Sequence, residues 1–145
     1  AGEHRVVYER FYERCRPLID RSAGRVLSVG LLKDPQTLAN FYALCDVLAL
    51  PSRSDCFALV QLEAMLSGTP VVASDVPGAR EVVLRTGMGR LVPAGDPSAL
   101  ASGLLEVLRD PSRFIRPRAA VEAAYSHDRS VEAFEAVIAS LAERR

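Results

Sequence analysis

The chain is short of cysteine, nearly without lysine and free of any long apolar run, and each shortage closes off a class of protein. Its three cysteines, Cys15, Cys45 and Cys56, are odd in number and lack metal-ligand spacing. That favours a reducing cytoplasm over a disulfide framework. No apolar stretch approaches the roughly 20 residues that a membrane-spanning helix needs. No charged n-region followed by an apolar h-region opens the chain, so nothing in it supports secretion. Charge of one sign is missing too: 18 basic residues face 18 acidic ones. Without a chain-wide field, neither nucleic acid nor an anionic membrane is the expected partner. Lys33 is the sole lysine among many arginines, which reads as coding bias rather than chemistry. Repeats, linkers and low-complexity tracts are absent as well.

What remains is the profile of a single globular domain of 145 residues, 49% hydrophobic and 25% charged. Apolar residues at helical spacing (Val6, Val7, Phe11, Cys15, Leu18) predict a helix over residues 3–18. Arg25–Gly30 reads as a short strand. Asp34 starts a helix whose stripe is Leu38, Phe41, Tyr42 and Cys45. Asp46–Pro51 is a second strand, and its unbroken apolar character predicts burial on both faces. A helix over residues 57–67 stops at Gly68. Strands at 70–74 and 90–93 follow, separated by the Pro77-Gly78 turn and a short helix over residues 79–84. Asp96 and Pro97 open a helix to about Arg109. Two helical stretches, 111–125 and 130–145, form a C-terminal extension. Phe41, Tyr42, Phe114 and Phe134 are the aromatic core candidates.

Strands alternating with helices predict an α/β fold, a Rossmann-like parallel sheet with helices on both faces. Ligands of such sheets bind beyond the carboxyl ends of the strands. Those segments are 30–34, 52–56, 74–79 and 94–96. The second is the richest, because it leads into the amino end of the helix at Phe57, where free N–H groups and the dipole favour an anion. Two carboxylates frame that helix. Glu63 lies within Phe-Ala-Leu-Val-Gln-Leu-Glu-Ala-Met, where its burial costs free energy unless a polar partner meets it. With residues 55–63 helical, Asp55 and Glu63 stand about 12 Å apart along the axis. A glycosidase pair needs about 5 to 9.5 Å. The two are better suited to gripping the ends of an elongated ligand with an anionic middle, such as a nucleotide-sugar.

Plainer roles stay open for these residues. Asp55 fits a helix cap, and Glu63 fits an ion pair with an arginine such as Arg80. Ser52 and Ser54 suit a turn, since His4 and His127 stand nowhere near triad spacing. Cys56 has no base partner in view. Arg113, Arg116 and Arg118 suit a solvated face, with an acceptor phosphate as the alternative.

Residues 47–96 resemble the donor-binding half of retaining glycosyltransferases of the GT-B fold (group 1, family 4). The resemblance rests on Pro51-Ser52, Asp55, Glu63-Ala-Met65, Gly68-Thr-Pro-Val-Val72, Gly78-Ala-Arg-Glu81 and Gly89-Arg-Leu-Val-Pro-Ala-Gly-Asp96. It implies sugar transfer from a nucleoside diphosphate sugar with retained configuration, with no cofactor and no catalytic metal. It assigns Asp55 and Glu63 as the catalytic-site carboxylates, Glu63 on the ribose hydroxyls and Asp55 on the transferred sugar. The backbone N–H groups of Phe57, Ala58 and Leu59 would face the diphosphate, and Leu31 and Leu32 would border the base.

Two departures stand out. Asp55 replaces the family's usual Glu and is one methylene shorter. Two further strands, an Arg/Lys phosphate clamp and an acceptor-binding domain precede the matching region in the family. The resemblance therefore implies that residues 1–145 are one N-terminally incomplete nucleotide-sugar-binding domain, whose Arg25–Gly30 strand lacks both neighbours and which is not catalytic alone. Completion of the sheet by a second copy, as a homodimer, is the alternative. Any peripheral membrane contact would come through the missing domain. Two other functions keep the same fold: a non-catalytic binding or assembly module, and a nucleotide-sugar epimerase. The epimerase would need further acid/base residues that the sequence does not offer.

Overall fold

A computed structural model of the chain describes residues 11–142. The predicted helical positions 3–10, with Val6 and Val7, lie outside the described residues. The chain divides into two compact units, Ala1–Leu38 and Ala39–Arg145.

In the first unit α1 spans Phe11–Arg21 and carries Pro17 in its interior. It ends in a turn through Ala23 and Gly24, both at positive φ. The expected strand Arg25–Gly30 does not form: these residues have no regular structure. Val26, Leu27 and Val29 are 51%, 82% and 48% exposed. A strand exists only where a neighbour completes its ladder of N–H and C=O bonds, and none among the described residues pairs with this segment. The next helix, α2 (Pro35–Ala43), begins where Asp34 predicts. The Asp34 carboxylate accepts from the Thr37 N–H at 2.7 Å and from its hydroxyl at 2.6 Å. Those bonds favour the ionised form and hold the Asp34 carboxyl below its usual range.

The second unit alternates strands and helices: β1 (Leu48–Leu50), α3 (Leu59–Leu66), β2 (Val71–Ser74), α4 (Pro77–Thr86), β3 (Gly89–Val92) and α5 (Pro97–Arg109). A single 3-10 turn at Pro111–Arg113, then α6 (Arg118–Ala124) and α7 (His127–Ala142), complete it. The three strands are parallel in the order β1-β2-β3, with Leu48 opposite Val71 and Val71 opposite Gly89. This is the expected doubly covered parallel sheet. Val72, Val92, Val107 and Phe114 form one buried cluster, against which Leu100 and Leu104 of α5 pack. Val71 and Ala73 alternate with Val72 across the pleat and are also fully buried. On their side α3 and α4 lie against β2, contributing Met65 and Val82. Asp96 caps α5 as expected, its Oδ1 accepting from Ser98 and Ala99 N–H groups at 2.9 Å each.

Four expectations need correction here. β1 is not buried on both faces, for Ala49 is exposed and Leu48 and Leu50 are half-buried. Among the described strands β1 is an edge, so it has one neighbour rather than two. The helix placed at 57–67 begins only at Leu59. The stretch 111–125 is broken, because Pro117 stands as the N-cap of α6. Phe134 is 72% exposed rather than core. It belongs to an apolar stripe on α7, with Val131, Ile138 and Leu141, that nothing among the described residues covers. Helical periodicity marks such a stripe without saying what packs on it.

Candidate functional site

The loop from Pro51 to Ala58 leaves the carboxyl end of β1 and delivers the chain to α3. The N-cap of α3 is Ala58, in an extended conformation and without a side-chain cap bond. The capping role for Asp55 is therefore excluded: Asp55 stands three residues before the N-cap, and helical spacing cannot be extended back to it. Its carboxylate lies 3.5 Å from the Ser52 hydroxyl, at the outer limit of a hydrogen bond. Its backbone is held more firmly. The Gly78 N–H donates to the Asp55 carbonyl at 3.2 Å. A β-carbon at Gly78 would overlap the backbone of Asp55 and Cys56. The Asp55 loop thus rests directly on the first turn of α4.

In the first turn of α3 the Gln61 N–H donates to the Ala58 carbonyl at 3.1 Å. With no side chain spent on the amino end, the N–H groups ahead of Gln61 and the positive end of the dipole are left for something else. Phe57 precedes that turn, its ring edge-on to Tyr125 at 5.7 Å. Tyr125 in turn donates its hydroxyl to the Glu81 carbonyl at 3.3 Å and lies under the Arg85 guanidinium. These contacts pin the approach to the helix between α4 and α6.

Glu63 departs from expectation in two ways. It is on the exposed face of α3 rather than buried. Its partner is not Arg80, which pairs with Asp75 instead. The fully buried polar residue of this helix is Gln61, and neither of its amide atoms has a hydrogen-bond partner among the described residues. Apolar neighbours surround both positions in sequence, and only the helix rotation separates them. Glu63 is met by Tyr42, whose hydroxyl donates to Oε2 at 3.1 Å. Tyr42 is 7% exposed, and its carbonyl accepts from the Thr69 hydroxyl at 2.6 Å. The sequence placed Tyr42 in the core without seeing this bond; the signal was available, since a buried tyrosine hydroxyl needs a partner.

Burial and then the Glu63 carboxylate push the Tyr42 hydroxyl up to about 12. An unfolded tyrosine ionises near 10. Between those values the folded chain keeps a proton that the unfolded chain loses, so stability falls as pH rises through this window. Thermal melts from pH 9 to 12 are expected to show that loss, and Tyr42→Phe to show a shallower one. Equal slopes for the two proteins would disprove the coupling.

The remaining candidates separate. Leu31 and Leu32 fall in the irregular segment of the first unit, Leu31 exposed and Leu32 half-buried. Cys56 is a free, exposed thiol. Arg113 and Arg118 pair with Glu106 and Glu122, and Arg116 donates to the carbonyls of Arg113 and Ile115. A cleft of about 260 Å³ lies on the Leu62 and Leu66 side of α3, against Val121 and Tyr125, and touches neither Asp55 nor Glu63. Among the described residues no three His, Cys, Asp or Glu side chains gather as metal ligands, and no helix is long and apolar enough to cross a membrane.

A parallel sheet whose carboxyl edge leads through a loop into an uncapped helix start is a Rossmann-like α/β arrangement, and comparison with known proteins makes that narrower. Residues 4–110 match the family model described as glycosyl transferases group 1, and the chain belongs to that family. It is 41% identical over 111 residues to a D-inositol 3-phosphate glycosyltransferase of Xylanimonas cellulosilytica, covering 74% of this chain and 27% of that protein. It is 44% identical over 90 residues to a phosphatidyl-myo-inositol mannosyltransferase of Mycobacterium leprae, covering 61% and 24%. The chain thus spans about a quarter of the length of these curated relatives. Among solved structures, a sucrose-phosphate synthase from Thermosynechococcus elongatus superposes with a TM-score of 0.80 and 30% identity, over 100% of this chain and 38% of that one. HepE of Anabaena, in complex with UDP and glucose, gives 0.79 and 25% over 96% and 39%. The fold is that of the GT-B glycosyltransferases.

Proposed function

We propose that this chain carries the nucleotide-sugar donor site of a retaining glycosyltransferase that moves a sugar from a nucleoside diphosphate sugar to an acceptor. The observation that carries the reading is the uncapped amino end of α3, bracketed by the Asp55 loop and Glu63. The N–H groups of Phe57, Ala58 and Leu59 face the diphosphate. They meet the charge that grows on it as the glycosidic bond breaks, aided by roughly half a positive charge at the helix end. Glu63 accepts ribose hydroxyls as a charge-assisted acceptor, and Asp55 contacts hydroxyls of the transferred sugar. Hexose transfer without a metal or cofactor, in the cytoplasm, completes the reading. Support comes from the glycosyltransferase names of the relatives and from the HepE complexes with UDP and UDP-glucose.

Isothermal titration of UDP and a panel of nucleotide-sugars against this chain and its Glu63→Ala variant tests it. Hydrogen bonds to a charged group contribute about 1.5–3 kcal/mol, so the variant is expected to bind at least about tenfold more weakly. Equal affinity, or no binding to either protein, refutes the donor-site reading.

A further inference from the structure

We propose that Tyr42 is a positioning residue for Glu63: its hydroxyl holds Oε2, so that Oε1 is the oxygen presented to a ribose hydroxyl. This rests on the ribose role proposed for Glu63. On the exposed face of α3 a glutamate is otherwise free to exchange among its rotamers. Tyr42 is suited to remove that freedom because it is itself fixed three ways. Its ring is buried, it meets Phe41 edge-on at 6.0 Å, and its carbonyl takes the Thr69 hydroxyl at 2.6 Å. Thr69 belongs to the Gly68-Thr69-Pro70 turn that ends α3, and its N–H donates back to Ala64 at 2.9 Å. Tyr42 is therefore tied to the same helix whose side chain it orients. With its ionisation pushed up to about 12, the hydroxyl stays a donor throughout the neutral range.

The competing role is structural, with the hydroxyl merely satisfying a buried ring. Titration of UDP and of 2′,3′-dideoxy-UDP against the chain and its Tyr42→Phe, Glu63→Ala and double variants separates the two. Tyr42→Phe keeps the ring and is expected to weaken UDP about three- to tenfold. It should leave dideoxy-UDP unchanged and add nothing to Glu63→Ala. An equal loss for both nucleotides, additive losses in the double variant, or no loss for UDP would overturn the positioning role. Glu63→Ala without effect on UDP would instead overturn the ribose reading beneath it.

Discussion

Gly78→Ala is expected to raise the dissociation constant for nucleotide at least tenfold while leaving the sheet folded. The new methyl group would sit inside the backbone of Asp55 and Cys56. Carbon atoms in contact normally stand about 3.5–4 Å apart. Because the obstructing atoms are main chain, no rotamer change clears them. Either the first turn of α4 or the Asp55 loop must move, and the Gly78 to Asp55 hydrogen bond of 3.2 Å is lost with the move. A binding constellation tolerates displacement of about 0.5 Å, and relief of this overlap needs more. The stability cost of such overpacking is about 1–3 kcal/mol, well below the total for a typical domain of about 5–15 kcal/mol. Calorimetric titration beside circular dichroism checks both halves. A variant that binds as wild type would show that the loop is not part of the site.

Met65→Ala carries the largest expected loss of stability, about 2–5 kcal/mol. Met65 is fully buried and joins α3 to the sheet. Its removal leaves a cavity on the α3 and α4 side of β2 that these elements cannot close without repacking. The Thr86 hydroxyl, 3.4 Å from the Met65 sulfur, keeps a better acceptor in the Val82 carbonyl at 2.8 Å. The loss is therefore one of packing and not of hydrogen bonding. Urea denaturation should show a lower midpoint with an unchanged slope, and Met65→Leu should cost under about 1.5 kcal/mol. A loss under about 1 kcal/mol for the alanine variant would show that the site collapses around the gap.

The outline of the fold was legible where local chemistry decides it. Asp34 and Asp96 announce their helices because a short carboxylate beside free N–H groups acts within three residues. Gly68 marks its turn at φ +92 for the same local reason. The errors came where distant partners decide. Val26 to Val29 have the composition of a strand, but composition supplies no neighbour for the ladder. Phe134 keeps helical spacing without a surface among the described residues to cover it. In the site, the order of Asp55, α3 and Glu63 followed from the sequence, and their surroundings did not. Gln61 and not Glu63 is the buried polar residue of α3, through a rotation that a run of apolar neighbours conceals. Tyr42 reaches Glu63 across 21 residues of chain, a pairing that spacing along one element cannot reveal. Gly78 reads as a turn glycine, and its contact with Asp55 appears only once α4 is packed.

The sheet order has a kinetic consequence. Leu48 to Val71 and Val71 to Gly89 are each closed by about twenty residues, so every parallel pairing among the described strands is made by a neighbour in the chain. Folding can advance from β1 to β3 one strand-helix-strand unit at a time, without waiting for a distant segment. The Tyr42 to Glu63 bond and the Thr69 tether join α2, which precedes β1 in the chain, to the first of these units. During synthesis, the helix that presents Glu63 can therefore be fastened in place before β3 has left the ribosome.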